Sequence, residues 1–75
     1  MNIEKSSQMR LMLQRLMHEK NISLDIWLPI YHHIAFAEVD QGDKIVVELL
    51  SMIESGATET EISQIAQEKY KIDMK

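Results

Sequence analysis

Seventy-five residues make one domain at most, and a chain this short often leans on a covalent staple or a second subunit for stability. There is no cysteine, so disulfide frameworks and thiolate metal sites are excluded; the composition suits a reducing cytoplasm. The N-terminus is not that of a signal peptide, and the longest apolar run, Ile34-Ala35-Phe36-Ala37, is far short of the ~20 residues of a membrane span. The scarcity of Gly and Pro, with many Leu, Met, Glu, Gln and Lys, predicts helix throughout residues 1–75.

The first helix is expected over about residues 3–20. Met9, Met12, Leu13, Leu16, Met17 and Lys20 share one 3.6-period stripe, with Arg10, Gln14, Arg15 and Glu19 largely opposite. Asn21 is a suitable left-handed stop, with Ile22 folding back onto the last turn. A second helix follows, with Ser23 and Asp25 as competing N-caps. Proline belongs in a first turn, which favours Asp25 and a helix over about 26–38; a cap at Ser23 would instead kink the helix at Pro29.

This second segment is apolar nearly all round. Trp27, Ile30, Tyr31, Ile34 and Ala37 form one face, and Leu28, His32, Ala35, Phe36 and Val39 another. Only Asp25, Pro29, His33 and Asp40 read as wet. Such a helix is expected to be either the central element or a subunit interface, with His32 buried and His33 exposed.

The third helix is expected to start at Asp40 or Asp43, over about 43–55. Ile45, Val46, Leu49, Leu50, Met52 and Ile53 form its stripe, and Gly56 is its left-handed stop. The β-branched run Ile45-Val46-Val47 hints at strand, but nothing else in the sequence reads as its pairing partner. Thr58-Glu59-Thr60-Glu61 is a capping box opening a fourth helix over about 59–71. Ile62, Ile65, Ala66 and Tyr70 face inward, and the last few residues are expected to be loose. The fold class is therefore all-α, a compact bundle of four short helices with short connections.

Charge is uneven. Up to residue 38, Lys5, Arg10, Arg15 and Lys20 balance Glu4, Glu19, Asp25 and Glu38. Beyond it, Lys44, Lys69, Lys71 and Lys75 face Asp40, Asp43, Glu48, Glu54, Glu59, Glu61, Glu68 and Asp73, so that half carries the whole net charge of −4. An acidic surface repels phosphate backbones, and direct nucleic-acid binding is not expected.

The chemistry-bearing residues point away from catalysis. His32 and His33 are helix neighbours about 100° apart and cannot both reach one ion unaided, so no metal site is expected. Asp40, Asp43, Glu59 and Glu61 lie at helix starts, where acids complement the macrodipole. No phosphate loop or nucleophile arrangement is present, and neither enzyme activity nor a cofactor is expected.

Six methionines are many for this length. Those of the first helix, Met1, Met9, Met12 and Met17, fill a core or form an adaptable surface. Together with Trp27, Tyr31 and Phe36, Met9 and Met12 are the candidate interface residues.

Residues 47–66, Val47-Glu48-Leu49-Leu50-Ser51-Met52-Ile53-Glu54-Ser55-Gly56-Ala57-Thr58-Glu59-Thr60-Glu61-Ile62-Ser63-Gln64-Ile65-Ala66, resemble the opening of a helix-turn-helix domain. In such domains a short helix of the Thr-x-x-Glu-Ile-x-x-Ile-Ala sort precedes the recognition helix. The resemblance implies an alternative, a transcription-associated protein with a degenerate helix-turn-helix in residues 47–71. Only Lys71 to Lys75 follow the second helix of the motif here, too few for a recognition helix. The expected function is protein–protein interaction, as a small regulator or inhibitor of a partner protein, with the domain itself a homodimer.

Overall fold

The computed structural model describes residues 3–73. Helix α1 spans Ile3–Glu19. Its inward stripe holds Leu13 and Met17, both buried, with Met9 and Leu16 packed beside them. The helix ends as the sequence predicts. Asn21 takes φ 56°, its N–H donates to the His18 carbonyl at 3.1 Å, and the Ile22 N–H donates to that of Met17 at 2.9 Å. This is a Schellman closure with an asparagine in the left-handed position, and it carries Ile22 into the core.

Helix α2 spans Leu24–Phe36 and is capped by Ser23, whose hydroxyl accepts the Asp25 N–H at 3.2 Å. The expected cap at Asp25 is therefore corrected: the fold-back at Ile22 delivers Ser23 directly to the cap position. Pro29 then lies inside the helix, beyond the first turn, where it has no N–H to offer the Asp25 carbonyl. The Ser23 N–H donates to the Glu59 carboxylate, which ties this end of α2 to α4.

The two-residue link Ala37–Glu38 leads into α3, Val39–Glu54. Two boundaries are thereby corrected: α2 stops at Phe36, not residue 38, and α3 starts at Val39, not Asp40 or Asp43. The reason is a long-range tie. Arg10 of α1 donates to the carbonyls of Ile34 at 3.3 Å and Val39 at 3.4 Å, and pairs with Asp43 at 3.3 Å. The buried Ser6 hydroxyl donates to the same carboxylate at 2.7 Å. Gly42 is buried inside the helix at this corner, where its missing side chain admits the guanidinium.

Both α1 and α2 pack on α3, and α4 packs on α2. Ile45, Val46, Leu49 and Ile53 fill the centre, so α3 is the central element rather than α2. A second Schellman closure ends α3. Gly56 takes φ 87°, and the Ala57 N–H donates to the Met52 carbonyl at 2.9 Å. The capping box then opens α4, Glu59–Glu68. The Glu61 N–H donates to the Thr58 hydroxyl at 3.2 Å, and the Thr58 N–H to the Glu61 carboxylate at 2.9 Å. Ile62 and Ala66 are buried against the centre.

Helix α4 ends at Glu68, short of the expected residue 71. Lys71 takes φ 58°, the Ile72 N–H donates to the Ala66 carbonyl at 2.9 Å, and Ile72 is buried. The expectation of loose final residues is corrected at Ile72; Met74 and Lys75 lie outside the described residues, as does Met1 of the methionine set. Among the described residues the chain is 79% helical and has no strands, so Ile45-Val46-Val47 is helical despite its β-branching.

Candidate functional site

Helix α2 has two apolar faces, and the core covers one. Ile30 and Ile34 are buried, one turn apart, with Ile26 and Trp27 half-buried beside them. The other face is open: Leu24 is 59%, Leu28 38%, Tyr31 41% and Phe36 89% exposed. At ~100° per residue, Tyr31, Leu24, Ala35, Leu28, His32, Asp25 and Phe36 fall in that order across an arc of about 140°. Asp25 and His32 are the only ionisable side chains other than the Tyr31 phenol in that arc. Single exposed apolar residues are ordinary; a contiguous exposed face of this kind makes α2 the candidate interaction surface.

The expectation that His32 is buried is thus corrected. It is exposed, and so is His33. The sequence puts His32 on a face with Leu28, Ala35, Phe36 and Val39 and predicts its burial; the core instead takes the Ile26-Ile30-Ile34 row, which turns that face outward. The His32 ring meets the Phe36 ring edge-on at 6.5 Å between centroids. Beyond Phe36 an open groove of about 600 Å³ runs between α2 and the returning chain, bounded by Leu28, Pro29, His33, Ile72 and Asp73.

Of the candidate interface residues, Tyr31 and Phe36 lie on this outward face. Trp27 stands edge-to-face with Tyr31 at 5.4 Å, and its ring borders the α1–α2 seam with Leu13 and Met17. Met9 packs against the core, whereas Met12 is 52% exposed on α1 beside the exposed Leu11. The structure thus separates the two methionines that periodicity placed on one stripe. Leu24 and Ile72 were missed. An earlier α2 start from Ser23 brings Leu24 onto the face, but no local signal in the sequence marks Ile72.

The strongest perturbed electrostatics hold the returning chain in place. Lys69 Nζ lies 2.7 Å from the Glu48 carboxylate, and the Tyr70 hydroxyl donates to the same oxygen. The hydrogen bonds from Lys69 and Tyr70 hold the Glu48 carboxyl below its ordinary range. Burial, and then the Glu48 acceptor, push the Tyr70 phenol up to about 12. Glu48 is therefore an ionised acceptor for two donors, tying α3 to the end of α4 just before Ile72 turns inward.

Among the described residues no group of three or more His, Cys, Asp or Glu is arranged to hold a metal ion, and no helix is long and apolar enough to cross a membrane. Comparison with protein-family models, curated proteins and solved structures finds no match to the chain.

Proposed function

We propose that this domain is a non-enzymatic protein–protein interaction module, acting as a small regulator or inhibitor, with the outward face of α2 as its docking surface. The observation that carries this reading is Phe36, an aromatic side chain left 89% exposed at the edge of a face that also bears Leu24, Leu28 and Tyr31. Leaving such a side chain in water forgoes roughly 1.5–3 kcal/mol of burial, which a partner recovers on docking. Aromatic anchors beside a groove are also where binding energy concentrates. A cysteine-free module of this kind suits the cytoplasm. The acidic side chains of α4, Glu59, Glu61 and Glu68, favour a protein partner over a phosphate backbone.

The test compares tagged wild type with Phe36→Asp, each recovered from the cells that make the protein, followed by reconstitution with the purified captured protein. The exposed position leaves the fold intact, which circular dichroism verifies. The expected result is a partner that binds wild type directly and Phe36→Asp about tenfold or more weakly. Equal binding by both forms would overturn the assignment of this face.

A further inference from the structure

We infer that the outward face of α2 pairs with the same face of a second copy, the two helices antiparallel, with Leu28 of each against Tyr31 of the other. This rests on the reading of that face as the docking surface and names its partner. The spacing of the exposed residues is the first support. Leu24, Leu28, Tyr31 and Ala35 follow one another at four, three and four residues, the repeat of a knobs-into-holes seam. The set is symmetric about the point between Pro29 and Ile30. Antiparallel pairing therefore sets Leu28 against Tyr31 of the second copy and Leu24 against Ala35, each contact made twice. A parallel pair would stack Tyr31 on Tyr31 and leave Ala35 facing Ala35 across a gap.

Charge selects the same arrangement. Asp25, His32 and Phe36 occupy one edge of the face, about 80–120° round from Leu24. A two-fold axis perpendicular to antiparallel helices keeps like edges together. It brings Asp25 of each copy beside His32 of the other, a carboxylate facing an imidazole N–H, and lays Phe36 over Leu24. A parallel pair would turn Asp25 and His32 away, toward the opposite edge. Like-for-like pairing of the patch is the condition for a closed two-fold dimer.

Area fixes the class of association. Helix α2 is thirteen residues, ~20 Å long. Phe36 and Tyr31, at their exposures, offer on the order of 250–300 Å² between them. With the aliphatic side chains, each copy brings roughly 500 Å², so the pair buries about 1,000 Å², at the low end of specific interfaces. An interface of that size is expected to give a weak, reversible dimer.

Sedimentation equilibrium on the full chain, at up to about 300 μM, tests the pairing against three forms: wild type, His32→Glu, and Asp25→Lys combined with His32→Glu. Circular dichroism verifies that each is folded. Wild type is expected to approach twice 8.8 kDa. His32→Glu, which sets a second carboxylate against Asp25 of the other copy, is expected to raise the dissociation constant roughly tenfold or more, and the double variant to restore it to within a few-fold. A wild type that stays monomeric overturns the pairing. So does a dimer indifferent to His32→Glu, or one that the double variant fails to restore. If wild type is monomeric yet still binds a captured partner through Phe36, only the second-copy inference fails. If both are absent, the docking surface fails with it.

Discussion

Arg10 and Gly42 meet so closely that a Cβ on residue 42 would stand 2.5 Å from Arg10 Nη2 and 3.2 Å from the Ile34 carbonyl oxygen. If the guanidinium swings aside, it gives up the Nη2 bonds to the Val39 carbonyl and Asp43. At an unconstrained helical site Gly→Ala gains about 1 kcal/mol from propensity. Here the displaced bonds and the crowded carbonyl outweigh that gain, and Gly42→Ala is expected to destabilise by about 1–2 kcal/mol. Urea melts check the sign; a stabilised variant would show that the corner yields without cost.

The fourth helix depends on its first residue outside. Thr58 accepts the Glu61 N–H and receives the Glu61 carboxylate on its own N–H. Thr58→Ala is expected to cost ~1 kcal/mol in chemical denaturation. A change indistinguishable from zero would show that water replaces this cap at no loss.

His32 and His33 are both exposed. Replacing either with Ala is expected to change stability by less than about 0.5 kcal/mol. The sequence alone predicts a larger loss at His32, so paired thermal melts decide which way α2 faces. A loss of about 2 kcal/mol or more at His32 alone would return that residue to the core.

These cases mark what is legible in the sequence. Asn21, Gly56 and the Thr58–Glu61 pair act within five residues of themselves, so their chemistry can be read locally. The start of α3 cannot, because it is set by Arg10, which stands 24 residues before Ile34 and 33 before Asp43. The end of α4, just before the buried Ile72, is tied to Glu48, 22 residues from Tyr70. Periodicity finds two apolar faces on α2 but cannot rank them. The burial of Ile30 and Ile34 in the core, with Ile26 half-buried beside them, decides that, and with it the exposure of Phe36, a candidate interface residue.

The Glu48–Tyr70 contact gives stability a defined pH dependence. The Tyr70 phenol is raised in the folded state, from about 10 to about 12. Its contribution is complete below pH 10 and is lost as pH rises from about 10 through about 12. Glu48 is lowered on folding, so its contribution is present above its ordinary value of 4.5 and is lost as pH falls below that. In Tyr31→Phe, where Tyr70 is the remaining tyrosine, ultraviolet titration is expected to show ionisation near 12. Ionisation near 10 would mean that the phenol is neither buried nor engaged with Glu48 in solution.

Amide chemical shifts on dilution measure, residue by residue, which surface is left to meet other molecules. Two-dimensional nitrogen–proton spectra recorded from about 500 μM down to about 10 μM span the expected dissociation range. Concentration-dependent shifts are expected at Leu24, Asp25, Leu28, Tyr31, His32, Ala35 and Phe36, while Ile30, Ile34 and the centre of α3 stay fixed. Spectra that do not change with concentration, or changes confined to Leu11 and Met12 or to α4, would contradict self-pairing through the outward face of α2.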